Sequence, residues 1–244
     1  MKFWNLKPPN NKPGDNMKRK IALIFSILII FAASAVMAAR EPVAIVIKAK
    51  GKVFLVPEGS KKGKLVRRGT KIYNKQNILT KAKSYAIVKF IDNGGVVRIQ
   101  ANSFCRFEGK KKKKSLSKNI FLELGSIFNR VFKNKGDYRV STPTSVASVK
   151  GTKFWVKQKY KGATYYFGEE GIVEISNGRG VALLKAGMTG IVESPNSKPI
   201  VRKTRKNEKP TLEGEEENPD EFRLEFEDAQ GNIKELKFKL RKKK

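Results

Sequence analysis

From Glu41 to about Val192 the chain alternates apolar and polar residues in short runs rich in Val, Ile, Phe and Tyr, broken by Gly, Asn and Asp. A period of two over four to eight residues predicts half-buried strands. Strands are expected over Val43–Ala49, Lys52–Val56, Tyr85–Ile91, Val96–Phe107, Ile120–Phe132, Thr164–Phe167, Gly171–Ser176 and Val181–Leu184, with a last pair around Gly190. Asp92-Asn93-Gly94-Gly95 reads as a hairpin turn, because Asn and Gly tolerate positive φ. A bend is expected at Ala101-Asn102, and Gly125 is expected to bend or bulge its strand. On the run after Val96, alternation puts Val97, Ile99, Ala101, Ser103, Cys105 and Phe107 on one face, so the lone cysteine reads as a small core filler. The pattern predicts an all-β fold of many short strands, solenoid- or sandwich-like. "GKVFLV" at Gly51 and "GTKFWV" at Gly151 form a faint internal echo.

The pattern changes at both ends. Ile21–Ala39 is nineteen uncharged residues after Lys18-Arg19-Lys20, with small residues at Val36-Met37-Ala38. A basic head, apolar middle and small-residue exit predict a secretory signal peptide over 1–38, and Met17 offers a start that gives it ordinary length. The competing reading is an uncleaved membrane anchor: nineteen residues make a helix of roughly 28 Å, enough to cross a bilayer. Either way the rest of the chain is expected to be exported, in the periplasm or cell envelope. Residues 193–220 hold four prolines, a basic block and an acidic block, which predicts a flexible linker. Residues 221–244 alternate again. A loop at Gln230-Gly231-Asn232 would set Phe226 opposite Leu236, Leu224 opposite Phe238 and Glu225 opposite Lys237. Two strands alone are marginal in water, so the apolar face of this hairpin must dock on its own domain, a second copy or another protein.

Composition narrows the chemistry. There is no histidine and one cysteine, which excludes His-based triads and His- or Cys-built zinc sites. No cofactor or metal site is expected. The 244 residues carry a formal charge of +31, from 40 Lys and 13 Arg against 22 acidic residues. Loss of residues 1–38 would remove six basic residues and Asp15 and leave +26. Such a charge suits a polyanion. Export argues against nucleic acid, and the excess of Lys over Arg argues against bidentate phosphate recognition. The candidate surface for an anionic envelope polymer, a lipid headgroup layer or a protein partner is Lys110, Lys111, Lys112, Lys113 and Lys114, read as a loop tip, together with Lys153, Trp155 and Lys157. Alternation sets Trp155 between Lys153 and Lys157 on an outer face, where it could stack on a sugar, pack a partner, or be covered by the C-terminal segment. Gly59-Ser-Lys-Lys-Gly-Lys falls one residue short of a P-loop and lacks its Ser/Thr. Ser115-Leu-Ser-Lys118 has the Ser-x-x-Lys spacing of penicillin-recognising enzymes without their other motifs. The Glu169-Glu170 pair could serve a carboxylate hydrolase only if both side chains faced one cleft, which strand alternation disfavours.

One stretch ties these pieces together. "VSTPTSVASVKGTKFWV", Val140–Val156, resembles the signature of the FecR domain family: Thr-Pro, a run of small residues with valines, then a basic residue, Gly-Thr-x-Phe-x-Val. "GKVFLV", Gly69-Thr70, "ILTKAKSYAIVKFIDNGGVVRI", "LELGSIFNRV", "EEGIVEISN" and "VALLKAGMTGIV" resemble its other elements in order, over roughly residues 45–192. The resemblance implies an exported, non-catalytic all-β envelope domain over 41–192, in which Thr142, Pro143, Ala147, Gly151, Thr152, Phe154 and Val156 are structural. Pro143 would mark a strand start or edge, Gly151 a bulge or positive φ, and the Thr152 hydroxyl a local hydrogen bond. Lys150 stands where the family commonly has Arg. Family regulators that signal to sigma factors carry a cytoplasmic anti-sigma region, and at most twenty residues precede the apolar run here. The resemblance thus implies a stand-alone binding or scaffolding module, with a membrane-anchored signalling regulator as the alternative.

Overall fold

In the computed structural model, residues 41–112, 115–133 and 136–212 are described with their side chains (Lys112 by its backbone), and 221–227 and 233–239 by backbone alone. Among the described residues there is no helix. Numbered in chain order, the strands form two layers. Layer A runs β4 (Lys71–Tyr73), β1 (Pro42–Lys50), β6 (Tyr85–Phe90), β7 (Gly95–Ile99), the second half of β9 (Ser115–Val131), β12 (Lys153–Gln158), β13 (Thr164–Glu170), β16 (Met188–Val192) and β17 (Ile200–Lys203), all antiparallel. Layer B runs β3 (Lys64–Leu65), β2 (Val53–Val56), β5 (Gln76–Thr80), β8 (Phe104–Lys112), the first half of β9, β10 (Tyr138–Ser141), β11 (Val146–Val149), β14 (Ile172–Asn177) and β15 (Gly180–Lys185), antiparallel except for β10 on β9. The all-β expectation holds.

β9 belongs to both layers and joins the 17 strands into one hydrogen-bonded network. Its crossing point is Gly125, at φ +100°, where a Cβ would lie 2.5 Å from the backbone Cα of Ser103. Only glycine fits such a backbone approach. The partner strand turns the same corner: Asn102 sits at φ +53° between β7 in layer A and β8 in layer B. The bends anticipated at Gly125 and Ala101-Asn102 are therefore the hinge lines of the sandwich.

The core lies between the layers. Phe90 of layer A meets Phe107 and Tyr138 of layer B, with ring centroids 5.8 and 5.7 Å apart. Val97, Ile99, Cys105 and Phe107 are all fully buried, as alternation predicted. Burial drives the Cys105 thiol far above its ordinary pKa, so it is packing and not a nucleophile. Asn93 takes φ +56° in the expected β6–β7 turn, and Asp92 Oδ1 accepts the Gly94 N–H at 2.9 Å.

Three expectations are revised. The stretch read as a linker over 193–220 is structured in its first part: β17 pairs with β16, and the residues after it are tied to layer A by Arg202–Glu208 and Lys209–Glu169 contacts. Proline content marked a loop there, but Ile200-Val201 completes the sheet edge. The C-terminal hairpin forms as β18 (Glu221–Glu227) and β19 (Ile233–Lys239), offset by two residues from the expected pairing. Phe222 faces Phe238, Leu224 faces Leu236 and Glu225 faces Glu235. A shift of two preserves the faces, since side chains repeat every second residue. Finally, Lys110, Lys111 and Lys112 are not a loop tip but the end of β8, paired with Ser117, Leu116 and Ser115. The signal-peptide or anchor reading of residues 1–38 and the positions of Lys113 and Lys114 lie outside the described residues.

Candidate functional site

The Thr142–Val156 segment builds a corner rather than a catalytic centre. Thr142 brackets the β10–β11 turn: its N–H donates to the Ser145 carbonyl at 2.8 Å, and its hydroxyl oxygen accepts the Thr144 and Ser145 N–H groups. Pro143 sits exposed at the tip, where its missing N–H costs nothing. Behind the turn lies a buried hydroxyl network. Thr144 and Thr164 Oγ1 are 2.6 Å apart, Ser145 Oγ and the Tyr166 hydroxyl 2.9 Å, and the Thr164 hydroxyl donates to Gln158 Oε1. Burial pushes the Tyr166 phenol up to about 12, so it stays protonated as a donor. Each hydroxyl is answered by another hydroxyl or an amide, and none by a base. The network stitches the β10–β11 turn to β12 and β13.

The rest of the signature serves packing. Ala147, Phe154 and Val156 are fully buried. Gly151 holds φ +83°, with Lys133 crossing where a Cβ would stand. The local hydrogen bond expected of Thr152 does not form: its buried hydroxyl has no partner, and its methyl packs under Gly171.

The basic and aromatic surface is not assembled as expected. Lys110 and Lys111 are exposed at the end of β8, whereas Lys157 is exposed on layer A. Lys153 is neutralised by Glu170 at 2.5 Å, which holds the Glu170 carboxyl below its ordinary pKa. Trp155 is on the outer face of layer A, as alternation required, but it is 1% exposed. It packs on Phe128 at 5.1 Å and donates from Nε1 to Glu169 Oε1 at 3.1 Å. A buried indole cannot stack on a sugar.

Glu169 and Glu170 also depart from expectation. The β12–β13 register shifts between Lys153 and Phe154, so Glu170 pairs with Lys153 and Gly168 with Phe154. Glu169 is the extra residue of a bulge, and both carboxylates reach the same face. There Glu169 is taken by Trp155 and Lys209, and Glu170 by Lys153. Each carboxylate is thus paired within the fold instead of facing a cleft. Among the described residues no cluster of three or more acidic, Cys or His residues could hold a metal ion.

What the described surface offers instead is a groove on the outer face of layer B. It measures about 490 Å³ and is lined by Arg139, Ser148, Lys150, Ile172, Glu174 and Leu183, among others. Register aligns Arg139, Ser148, Glu174 and Leu183 in one row across β10, β11, β14 and β15. Ser148 is the small residue that leaves the row hollow. Ile172, Val181 and Leu183 are 52%, 64% and 57% exposed beside it. Sequence reading placed strands at these residues but did not single them out, because their alternation looked like ordinary strand burial. The signal was present in β15, where Val181, Leu183 and Ala182, Leu184 are apolar on both faces, a pattern that fits a strand covered on both sides.

Similarity to known proteins runs along the same lines. A family model described as FecR protein matches residues 76–178. No curated protein matches the chain. Two crystal structures of a candidate anti-sigma factor from Parabacteroides distasonis, at 1.65 and 2.50 Å resolution, are similar to it at 21% and 22% identity, each with a TM-score of 0.45. Each similarity covers 52% of this chain and 59% of the other, so the chain spans about three fifths of those structures. The matched residues start at β5 and run through β14, taking in both hinge lines, the hydroxyl network and the Thr142–Val156 corner. Over residues 76–178 the chain is thus similar to the FecR family.

Proposed function

We propose that this chain is an exported, non-catalytic FecR-domain protein that works by docking a protein partner on the outer face of layer B. The observation that carries this reading is the hollow at Ser148, flanked in its row by Arg139 and Glu174 and lined also by Lys150, with the exposed apolar residues Ile172, Val181 and Leu183 beside it. Exposed apolar groups framed by charge are the ordinary composition of a protein-docking patch. A polymer-binding reading is weaker, since Trp155 and Lys153 are engaged within the fold and Lys110 and Lys111 stand apart from Lys157. The test is a photo-crosslinking residue at Leu183 in cells, with Lys61 as the control position. A discrete protein adduct at 183, falling about tenfold with Ile172→Glu, is expected. No adduct at 183, or equal adducts at both positions, removes the proposal.

A second reading keeps the same domain as the outer half of a membrane-anchored regulator. It is favoured by Ile21–Ala39, which is long enough to span a bilayer behind three basic residues. N-terminal sequencing of the protein from cells separates the two: a start at Ala39 leaves no anchor.

A further inference from the structure

The outer face of layer A holds a row that a water-facing sheet does not explain. Arg98, Phe128, Trp155, Phe167 and Thr189 are aligned in register across β7, β9, β12, β13 and β16. Trp155 and Phe167 are 1% exposed, and Tyr85, which stacks under the Arg98 guanidinium at 4.6 Å, is 6% exposed. None of them belongs to the core between the layers. Aromatic rings on an outer sheet face reach such burial only beneath a further layer of chain.

The path of the chain after β17 shows where that layer comes from. β17 is the edge of layer A. Glu208 folds back to take both terminal guanidinium nitrogens of Arg202 and approaches Thr189 of β16 at 3.4 Å. Lys209 then reaches Glu169 of β13 at 2.8 Å, one strand further in. The segment is crossing the strands, and the next ones in its direction are β12 with Trp155, β9 with Phe128, and β7 with Arg98. Eight residues, 213–220, separate Leu212 from β18. Extended, they span up to ~26 Å. Three strand spacings from β13 to β7 need only ~14 Å.

The hairpin at the end of this path has the matching face. The register sets Phe222 opposite Phe238 and Leu224 opposite Leu236, so these four positions fall on one face of the hairpin, with the Phe226–Lys234 pair at its end, and Arg223, Glu225 and Lys237 fall on the other. We infer that the β18–β19 hairpin lays its apolar face over Tyr85, Phe128 and Trp155 of the same chain, as a third layer on layer A. The site it covers is the aromatic and basic face that would otherwise suit a polymer, which leaves layer B for partners.

The experiment uses the full chain with Trp4→Phe, so that Trp155 is the only tryptophan, and reads acrylamide quenching of its fluorescence. The parent should be shielded at every protein concentration. Leu224→Glu with Phe238→Glu should raise the quenching constant several-fold while Cys105 stays inert to a thiol reagent, showing that the core between the layers is intact. A second form, with a protease site at Glu216 cut after folding, should keep Trp155 shielded when concentrated and expose it on dilution. Shielding that survives the double substitution, shielding of the uncut parent that is lost on dilution (cover by a second copy), or a Trp155 already exposed in the parent each overturns the assignment.

Discussion

Lys118 is the side chain whose position the sequence least suggests. It is a lysine in a polar stretch, yet its side chain is 1% exposed, with Nζ 2.5 Å from Asp92 Oδ2 and 2.8 Å from the Leu116 carbonyl. It pins the β6–β7 turn, whose Gly94 leaves room for the ammonium: a Cβ there would stand 2.6 Å from Nζ. Removing one member of such a pair leaves the other charge short of a partner. Lys118→Met should therefore destabilise the fold by about 2 kcal/mol, discounted because Asp92 is partly exposed, and Lys118→Met with Asp92→Asn should recover much of it. Urea unfolding of the two single variants and the double one checks this. A neutral Lys118→Met would mean that the pair does no structural work. Alternation placed Cys105, Phe154 and Val156 correctly because they are apolar. It could not place Lys118, since a buried ammonium is licensed by a partner 26 residues away. For Trp155 it gave the right face and left the exposure open, because a period of two says nothing of what crosses the sheet.

At the scale of elements, β9 decides the architecture. Seventeen residues are too many for one flat strand in a small sandwich, and the chain passes from layer B to layer A without a loop. Gly125→Ala would set a Cβ at φ +100° against the Ser103 backbone, which cannot swing aside. A cost of about 3 kcal/mol is expected, from strain and overpacking together. Gly59→Ala is the control, at φ +72° with nothing within 4 Å, and should cost about 1 kcal/mol. Equal urea midpoints for the two would contradict the close approach at Gly125. The turn chemistry of Asp92–Gly95, Asn102 and Gly125 was legible because each asks for a residue type that few others replace. β17 was not legible, since four residues between prolines carry too little pattern. The hairpin register differs by two because a longer loop keeps the same faces.

For the molecule as a whole, the strap after β17 couples the sheet edge to the C-terminal segment through one carboxylate. Hydrogen bonds from Arg202, with help from the Arg205 N–H, lower the Glu208 carboxyl from 4.5 to about 2. A depressed pKa contributes stability that is complete above the unfolded value and lost as pH falls through the folded one. The strap should thus loosen between about pH 4.5 and 2, in a window where the many exposed carboxylates also titrate. Glu208→Gln isolates its share. At pH 7 the substitution should cost about 1 kcal/mol, since the pair is partly exposed and screened by salt. The difference between variant and parent should shrink as pH falls toward 2. If the hairpin rests on layer A, the same titration should raise quenching of Trp155 in the parent, and Glu208→Gln should show that raised quenching already at neutral pH. A constant difference between the two proteins from pH 7 to pH 2 would show that Glu208 acts by packing and not by charge.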